Sequence, residues 1–232
     1  MRPLHAAAIA LSLGYFGILA VAPAFRADWR ITPGFTESVW NTVLYASVAT
    51  ILCIPAAALL GYGATRLRLR FAYALILFST AIPHTAIGVL LAPLMSSLGL
   101  FDTPGAVVFS MWIVSLPYAT AIVRASLEGL GREFEEYLRC MGVGGFRLLY
   151  LHAKAASYGF AAAAMLAWLR AFSELGVLLL IAPRPITVGI QIYEIFLKYG
   201  AETVTTASLL LVPVGVVSVY LLSLVEKRAA AP

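Results

Sequence analysis

The chain has 232 residues, 62% of them hydrophobic and only 12% charged, with a mean hydropathy of +0.92. A soluble domain is about 45–50% apolar, so these figures exclude an ordinary soluble fold and indicate an integral membrane protein. The net charge of +5 does not signify nucleic acid, because the basic residues sit in short loops beside apolar runs, where they report orientation in a bilayer.

Lipid offers backbone amides no hydrogen-bond partners, so spanning elements are helices or a closed barrel, and these apolar runs lack the alternation of barrel strands. Six segments near the roughly 20 residues a helix needs are read at 4–24, 39–64, 71–95, 105–124, 156–182 and 204–225. The expected fold is all-α, a single transmembrane domain over 1–232 with six spanning helices and a polar loop at 125–155.

The first segment has signal-peptide features, with Arg2 ahead of it and Ala22-Pro23-Ala24 as a small-residue site. Its apolar length and the polar exit at Arg26, Asp28 and Arg30 favour a retained helix. With the N-terminus in the cytoplasm, inner loops hold eleven of the sixteen basic residues: Arg2, Arg66, Arg68, Arg70, Arg124, Arg132, Arg139, Arg147, Lys154, Lys227 and Arg228. The outer loops hold Arg26, Arg30, Arg184 and Lys198, and Arg170 lies within a span. That bias sets both termini on the cytoplasmic side of the cell membrane.

Asp102 and Pro104 mark a short outer turn between the third and fourth spans. The outer segment Ile186–Tyr199 mixes Ile190, Tyr193, Ile195 and Phe196 with Gln191, Glu194 and Lys198, which suits a short helix on the membrane surface or over the mouth of a pore. Trp29, Trp40, Trp112 and Trp168 read as interfacial or packing residues. Cys53 lies in an apolar span and Cys140 in the polar loop, which argues against a disulfide, and no metal-ligand spacing exists. No catalytic pair emerges, and no lysine follows the glycine-rich spacing that cradles phosphates, so the chain has no ATP-binding loop of its own.

The most informative stretch is Phe134–Tyr150, a charged, glycine-punctuated island between two apolar segments. Gly142, Gly144 and Gly145 break one short helix and start another, giving a cytoplasmic helix–turn–helix knob. Glu136, Gly142, Phe146 and Arg147 match the spacing of the EAA loop and resemble that loop of binding-protein-dependent ABC transporter permeases, although Tyr137 and Leu138 replace its two small residues and Ala155 stands where proline is usual. Val39–Arg66, opening on Asn41-Thr42, is similar to the first core span of the same permeases.

Two further segments narrow the resemblance. Ile82-Pro83-His84-Thr85-Ala86-Ile87-Gly88 resembles a Pro-His-Thr/Ser segment of molybdate and tungstate permeases. Pro83 permits a kink, and His84 and Thr85 then offer polar groups at membrane depth, facing a pathway or packed between helices. Arg170-Ala171-Phe172-Ser173-Glu174-Leu175-Gly176 is similar to a segment shared by molybdate, tungstate and sulfate permeases. Arg170 and Glu174 fall on one helical face and neutralise each other, as a structural ion pair or, with Ser173, beside the translocation path.

The resemblance implies a type I importer permease for tetrahedral oxyanions, tungstate or molybdate, with sulfate or thiosulfate as the alternative within the class. It implies a second copy of the chain, two ATP-binding subunits that carry ATP and Mg, and an extracytoplasmic oxyanion-binding protein. The chain itself has no enzymatic activity and no cofactor on this reading. Glu135, Glu136, Arg139, Gly142, Phe146 and Arg147 then form the ATPase-coupling loop, and Pro83, His84, Thr85, Ser173 and Glu174 the pathway or gate. An ion-gradient-driven transporter using Arg170, Glu174 and His84 as coupling groups is the alternative outside the class.

Overall fold

A computed structural model describes residues 2–25, 27, 29, 32–67 and 69–229. The polar exit at Arg26, Asp28 and Arg30, the inner-loop Arg68 and Met1 lie outside the described residues. Every regular element among those described is helical: α1 (Arg2–Phe16), running through a π-helical turn (Gly17–Val21) into α2 (Ala22–Ala24); α3 (Phe35–Arg66); α4 (Arg70–Phe78); α5 (His84–Ser97); α6 (Pro104–Gly129); α7 (Gly131–Cys140); α8 (Gly145–Ala155); α9 (Ser157–Phe172); α10 (Leu178–Ile181); α11 (Val188–Tyr199); α12 (Ala201–Leu209) and α13 (Val212–Ala229).

Four stretches are long and apolar enough to cross a membrane unbroken: Ala7–Ala24, Phe35–Arg66, Pro104–Gly129 and Ala201–Leu224. The remaining two expected spans are built differently. The segment read as 71–95 is two helical pieces, Phe71–Ala81 and His84–Ser97, bent by 110°. Ile82 is extended, and Pro83 (φ −54, ψ 135) precedes α5. Proline disfavours helix at the residue before it, and that local preference sets the break. In the segment read as 156–182 the helix stops at Phe172, and α8 meets α9 at 81°.

The centre of the bundle is α3, α6 and α9. Ala46, Ala49, Cys53, Ala57, Gly61 and Ala64 recur along α3 at three- and four-residue spacing, and all are buried. Small residues on one stripe let helix backbones approach closely, which is how helices associate where lipid removes the hydrophobic drive. A Cβ at Gly61 would come within 2.8 Å of Val123 on α6. Ala163 and Ala167 on α9 pack with Cys53, Ala57, Ala119 and Val123 in one cluster. The buried hydroxyls of Thr50, Ser110, Ser115 and Thr120 each donate to the carbonyl four residues back, so no partner outside the helix is required.

Local chemistry sets the helix starts. Gly34 (φ 78) turns the chain into α3, and Thr103 caps α6 by accepting from the Ala106 N–H, with Pro104 at the first helical position. Asp102 holds the turn before α6, accepting from the Arg184 N–H at 2.6 Å while its own N–H donates to the Ile181 carbonyl. Helix α11 packs on the start of α3: Gln191 bonds Ser38 and the Pro33 carbonyl, Thr42 accepts from the Val188 N–H, and Asn41 donates to the Ile186 carbonyl. Trp168 donates to Ser47 and stacks on Phe172, while Trp29 and Trp40 are exposed.

The small-residue packing yields a prediction. A Cβ at Gly159 of α9 would sit 1.9 Å from the Ser126 hydroxyl and 2.4 Å from Ser126 Cβ, whereas one at Gly14 meets nothing. Gly159→Val should destabilise the detergent-solubilised protein by about 1–3 kcal/mol, the cost of overpacking a close seam, and thermal unfolding should show a lowered Tm. Gly14→Val should leave the Tm unchanged.

Candidate functional site

Two polar groupings stand out in the bundle: the knob between α6 and α9, and a cluster where α5, α6 and α9 meet. In the knob, α7 ends at Cys140, Met141 follows as its cap and Gly142 adopts φ 76. The Gly142 N–H donates to the Arg139 carbonyl and the Val143 N–H to the Leu138 carbonyl, a paired closure that requires a left-handed residue at position 142. Gly145 (φ 59) then opens α8.

The knob has two faces. Leu138, Leu148 and His152 turn inward and are buried, while Glu136, Tyr137, Arg139, Met141, Phe146, Arg147 and Tyr150 are exposed. Phe146 is 84% exposed, an aromatic side chain standing beside exposed charges. The two adjacent glutamates divide between these faces. Glu136 points outward, and Glu135 turns in to accept from Arg139 at 2.7 Å and to approach Arg66 Nε at 3.5 Å. Arg66, Tyr62, Phe134 and His152 are the residues at this site that sequence spacing does not reveal, because their partners lie 65 or more positions away or on another helix.

The second grouping joins residues from distant parts of the chain. Glu174 lies just past the end of α9, its side chain 1% exposed, and its carboxylate accepts from Arg170 Nη2 and from the Val177 N–H, both at 2.8 Å. His84, first residue of α5, sets Nδ1 3.2 Å from Glu174 Oε2 and Nε2 3.0 Å from Arg170 Nη2, which also lies against Nδ1. A neutral imidazole can accept from Arg170, and its Nδ1 lies between the guanidinium and the Glu174 carboxylate. The carboxylate is thereby fully bonded, as a buried charge must be.

Gly176 permits the approach that brings these groups together. A Cβ there would lie 2.9 Å from His84 Cβ and 3.1 Å from the Thr85 N–H nitrogen. The guanidinium is not sealed in. Arg170, 17% exposed, reaches Ser173 Oγ at 3.4 Å and lies 5.9 Å from the Tyr118 ring centroid. These three residues line a groove of about 430 Å³ with Ala121, Ile122, Leu166 and Leu169. Pro83, Thr85 and Ser173 are exposed and Glu174 is buried beneath Arg170, so Glu174 braces the arginine and is not part of the groove wall. No cluster of metal-ligating side chains occurs among the described residues.

Comparison with known proteins agrees with this architecture. The molybdate/tungstate transport system permease protein WtpB of Pyrococcus furiosus is 30% identical over 189 residues, covering 80% of this chain and 76% of that protein. The protein of the same name from Pyrococcus abyssi is 26% identical over 187 residues, covering 79% and 75%. That from Thermococcus kodakarensis is 27% identical over 172 residues, covering 72% and 69%. Residues 53–231, from the middle of α3 past the end of α13, match the family described as binding-protein-dependent transport system inner membrane component, and the chain belongs to that family.

Proposed function

We propose that this permease carries molybdate or tungstate into the cell as half of a homodimeric pathway, with both termini cytoplasmic. Two ATP-binding subunits, which hold the ATP and Mg, seat on the knobs, and an extracytoplasmic protein delivers the oxyanion. Glu136, Arg139, Phe146 and Arg147 form the docking face, and Gly142 fixes the turn that presents it. ATP draws the two ATPases together, the knobs follow, and the bundles turn the cavity from inward-facing to outward-facing. Hydrolysis resets the cycle and releases the anion inside.

The observation that carries this reading is the groove at Tyr118, Arg170 and Ser173. A guanidinium, a hydroxyl and a phenol opening on one face of a membrane helix bundle do not face lipid, where each would go unsolvated, so that face belongs to an aqueous path. Glu174 balances the arginine, so a passing dianion meets directed N–H donors without a net cationic trap. A pathway that must release its cargo needs weak contacts of this kind. The break at Pro83 gives the neighbouring His84-Thr85 segment a place to act as the gate.

Binding, uptake and mutagenesis test the proposal. Purified gently, the protein should retain a stoichiometric ATPase whose hydrolysis in proteoliposomes rises with oxyanion-loaded binding protein. Displacement of labelled tungstate by equal sulfate would contradict the substrate, and uptake abolished by an uncoupler at clamped ATP would contradict the energy source. Gly142→Val, at a left-handed position, should add about 1–2 kcal/mol of strain and uncouple hydrolysis from uptake while the permease still inserts. Arg170→Ala should lower insertion by leaving Glu174 unpaired, an effect of about 2.5–3.5 kcal/mol on insertion scales. Combining it with Glu174→Ala should restore insertion and leave uptake impaired; restored uptake would show the pair to be structural only.

A further inference from the structure

The knob is joined to the bundle by two chain connections and by one set of side-chain contacts, and these differ in stiffness. Between α6 and α7, Gly131 adopts φ 67 with open space around it. Between α8 and α9 the chain bends by 81°. Neither connection continues a helix, so neither transmits a push as a rigid rod.

Among the described residues, the polar and aromatic side-chain contacts between knob and bundle converge on the last two turns of α3. Arg66, its side chain 6% exposed, donates from Nη2 to the Leu127 carbonyl of α6 at 2.9 Å and to the Gly131 carbonyl at the start of α7 at 2.7 Å. Its Nε faces Glu135 Oε2 at 3.5 Å. One turn earlier, the Tyr62 ring stands edge-on to His152 of α8, with centroids 5.5 Å apart, and His152 stands edge-on to Phe134 of α7 at 5.2 Å. His152 is fully buried and bonds the Leu148 carbonyl through Nδ1, which fixes its ring. Both helices of the knob are thus fastened to α3, which Gly61 brings close against α6.

We propose that Arg66 is the positioning residue of coupling: with Glu135 and the Tyr62–His152–Phe134 stack, it fixes the knob to the end of α3, so that displacement of the knob reaches the bundle through α3. This rests on the reading that an ATPase seats on the knob. It gives the adjacent glutamates separate duties, Glu135 inward to the lock and Glu136 outward to the partner. Arg139 also bonds Glu135, but from its own helix and with an exposed side chain, and it lies beside Tyr62 at the edge shared by the lock and the docking face.

The test uses the assembled transporter in proteoliposomes with Arg66→Gln, Glu135→Gln, the double variant and, as a control at an exposed position on α8, Lys154→Gln. Four quantities are read: ATPase retained on purification, basal hydrolysis, its stimulation by loaded binding protein, and uptake. Arg66→Gln and Glu135→Gln should each retain the ATPase and basal hydrolysis, with stimulation and uptake down roughly tenfold, within the range that such couplings span. The double variant should be no worse than the more affected single, because both remove one interaction, and Lys154→Gln should transport normally. Wild-type uptake by Arg66→Gln, multiplicative losses in the double variant, or loss of the ATPase in step with uptake would each overturn the positioning role. A wild-type chain that retains no ATPase would overturn both the coupling reading and this proposal.

Discussion

Close approach of three helices along a seam of small side chains is the constraint on which the rest of this molecule depends. In lipid, apolar side chains gain nothing by leaving the solvent, so association rests on packing. The stripe from Ala46 to Ala64 on α3 meets Ala119 and Val123 on α6 and Ala163 and Ala167 on α9, with Gly61 and Gly159 where the backbones come nearest. Larger residues face away. Ile51, Leu52 and Leu59 on α3 are exposed, as is the apolar surface of α1, and a bilayer covers such surface.

The same seam fixes where two arginines can act. Each stands at an edge of the three-helix unit and is met by a buried or half-buried carboxylate, Arg66 by Glu135 and Arg170 by Glu174. Each also spends donors on something besides its carboxylate: backbone carbonyls at Leu127 and Gly131 in one case, His84 and Ser173 in the other. Arginine suits such positions because its fork of donors engages several acceptors at once, which a lysine cannot do in fixed geometry. One arginine ties the bundle to the knob, and the other opens on the groove at Tyr118 and Ser173. On the proposed function, a rigid seam between them would let a displacement at the first be felt at the second.

Much of this was legible in the sequence, and the limits have physical causes. Apolar runs and charge bias reveal the membrane helices because hydrocarbon thickness sets their length. The knob is legible because glycines at 142, 144 and 145 interrupt a charged segment, and two of these, Gly142 and Gly145, adopt positive φ. Pro83 marks a kink, but apolar runs do not show direction, so the 110° size of the bend is hidden inside what reads as one span. The end of α9 at Phe172 is masked in the same way by the apolar residues that follow Gly176. Arg170 and Glu174 reveal themselves by their four-residue spacing. His84 joins them through tertiary approach alone, with Gly176 as its enabling residue. Likewise, a basic residue at position 66 reads as an orientation marker, and only folding shows that it faces Glu135.

The central claim is that the face carrying Ser173 lines a pathway whose access alternates under control of the ATPase. Its most direct test is thiol labelling of Ser173→Cys in a Cys140→Ser background, since Cys140 is exposed and Cys53 is buried. Assembled with its ATPase in sealed vesicles, the variant should react with a membrane-impermeant reagent from the cytoplasmic side without nucleotide. Trapped with ATP, it should react from the outer side instead. Labelling that ignores nucleotide, or a thiol that neither side reaches, would contradict the account.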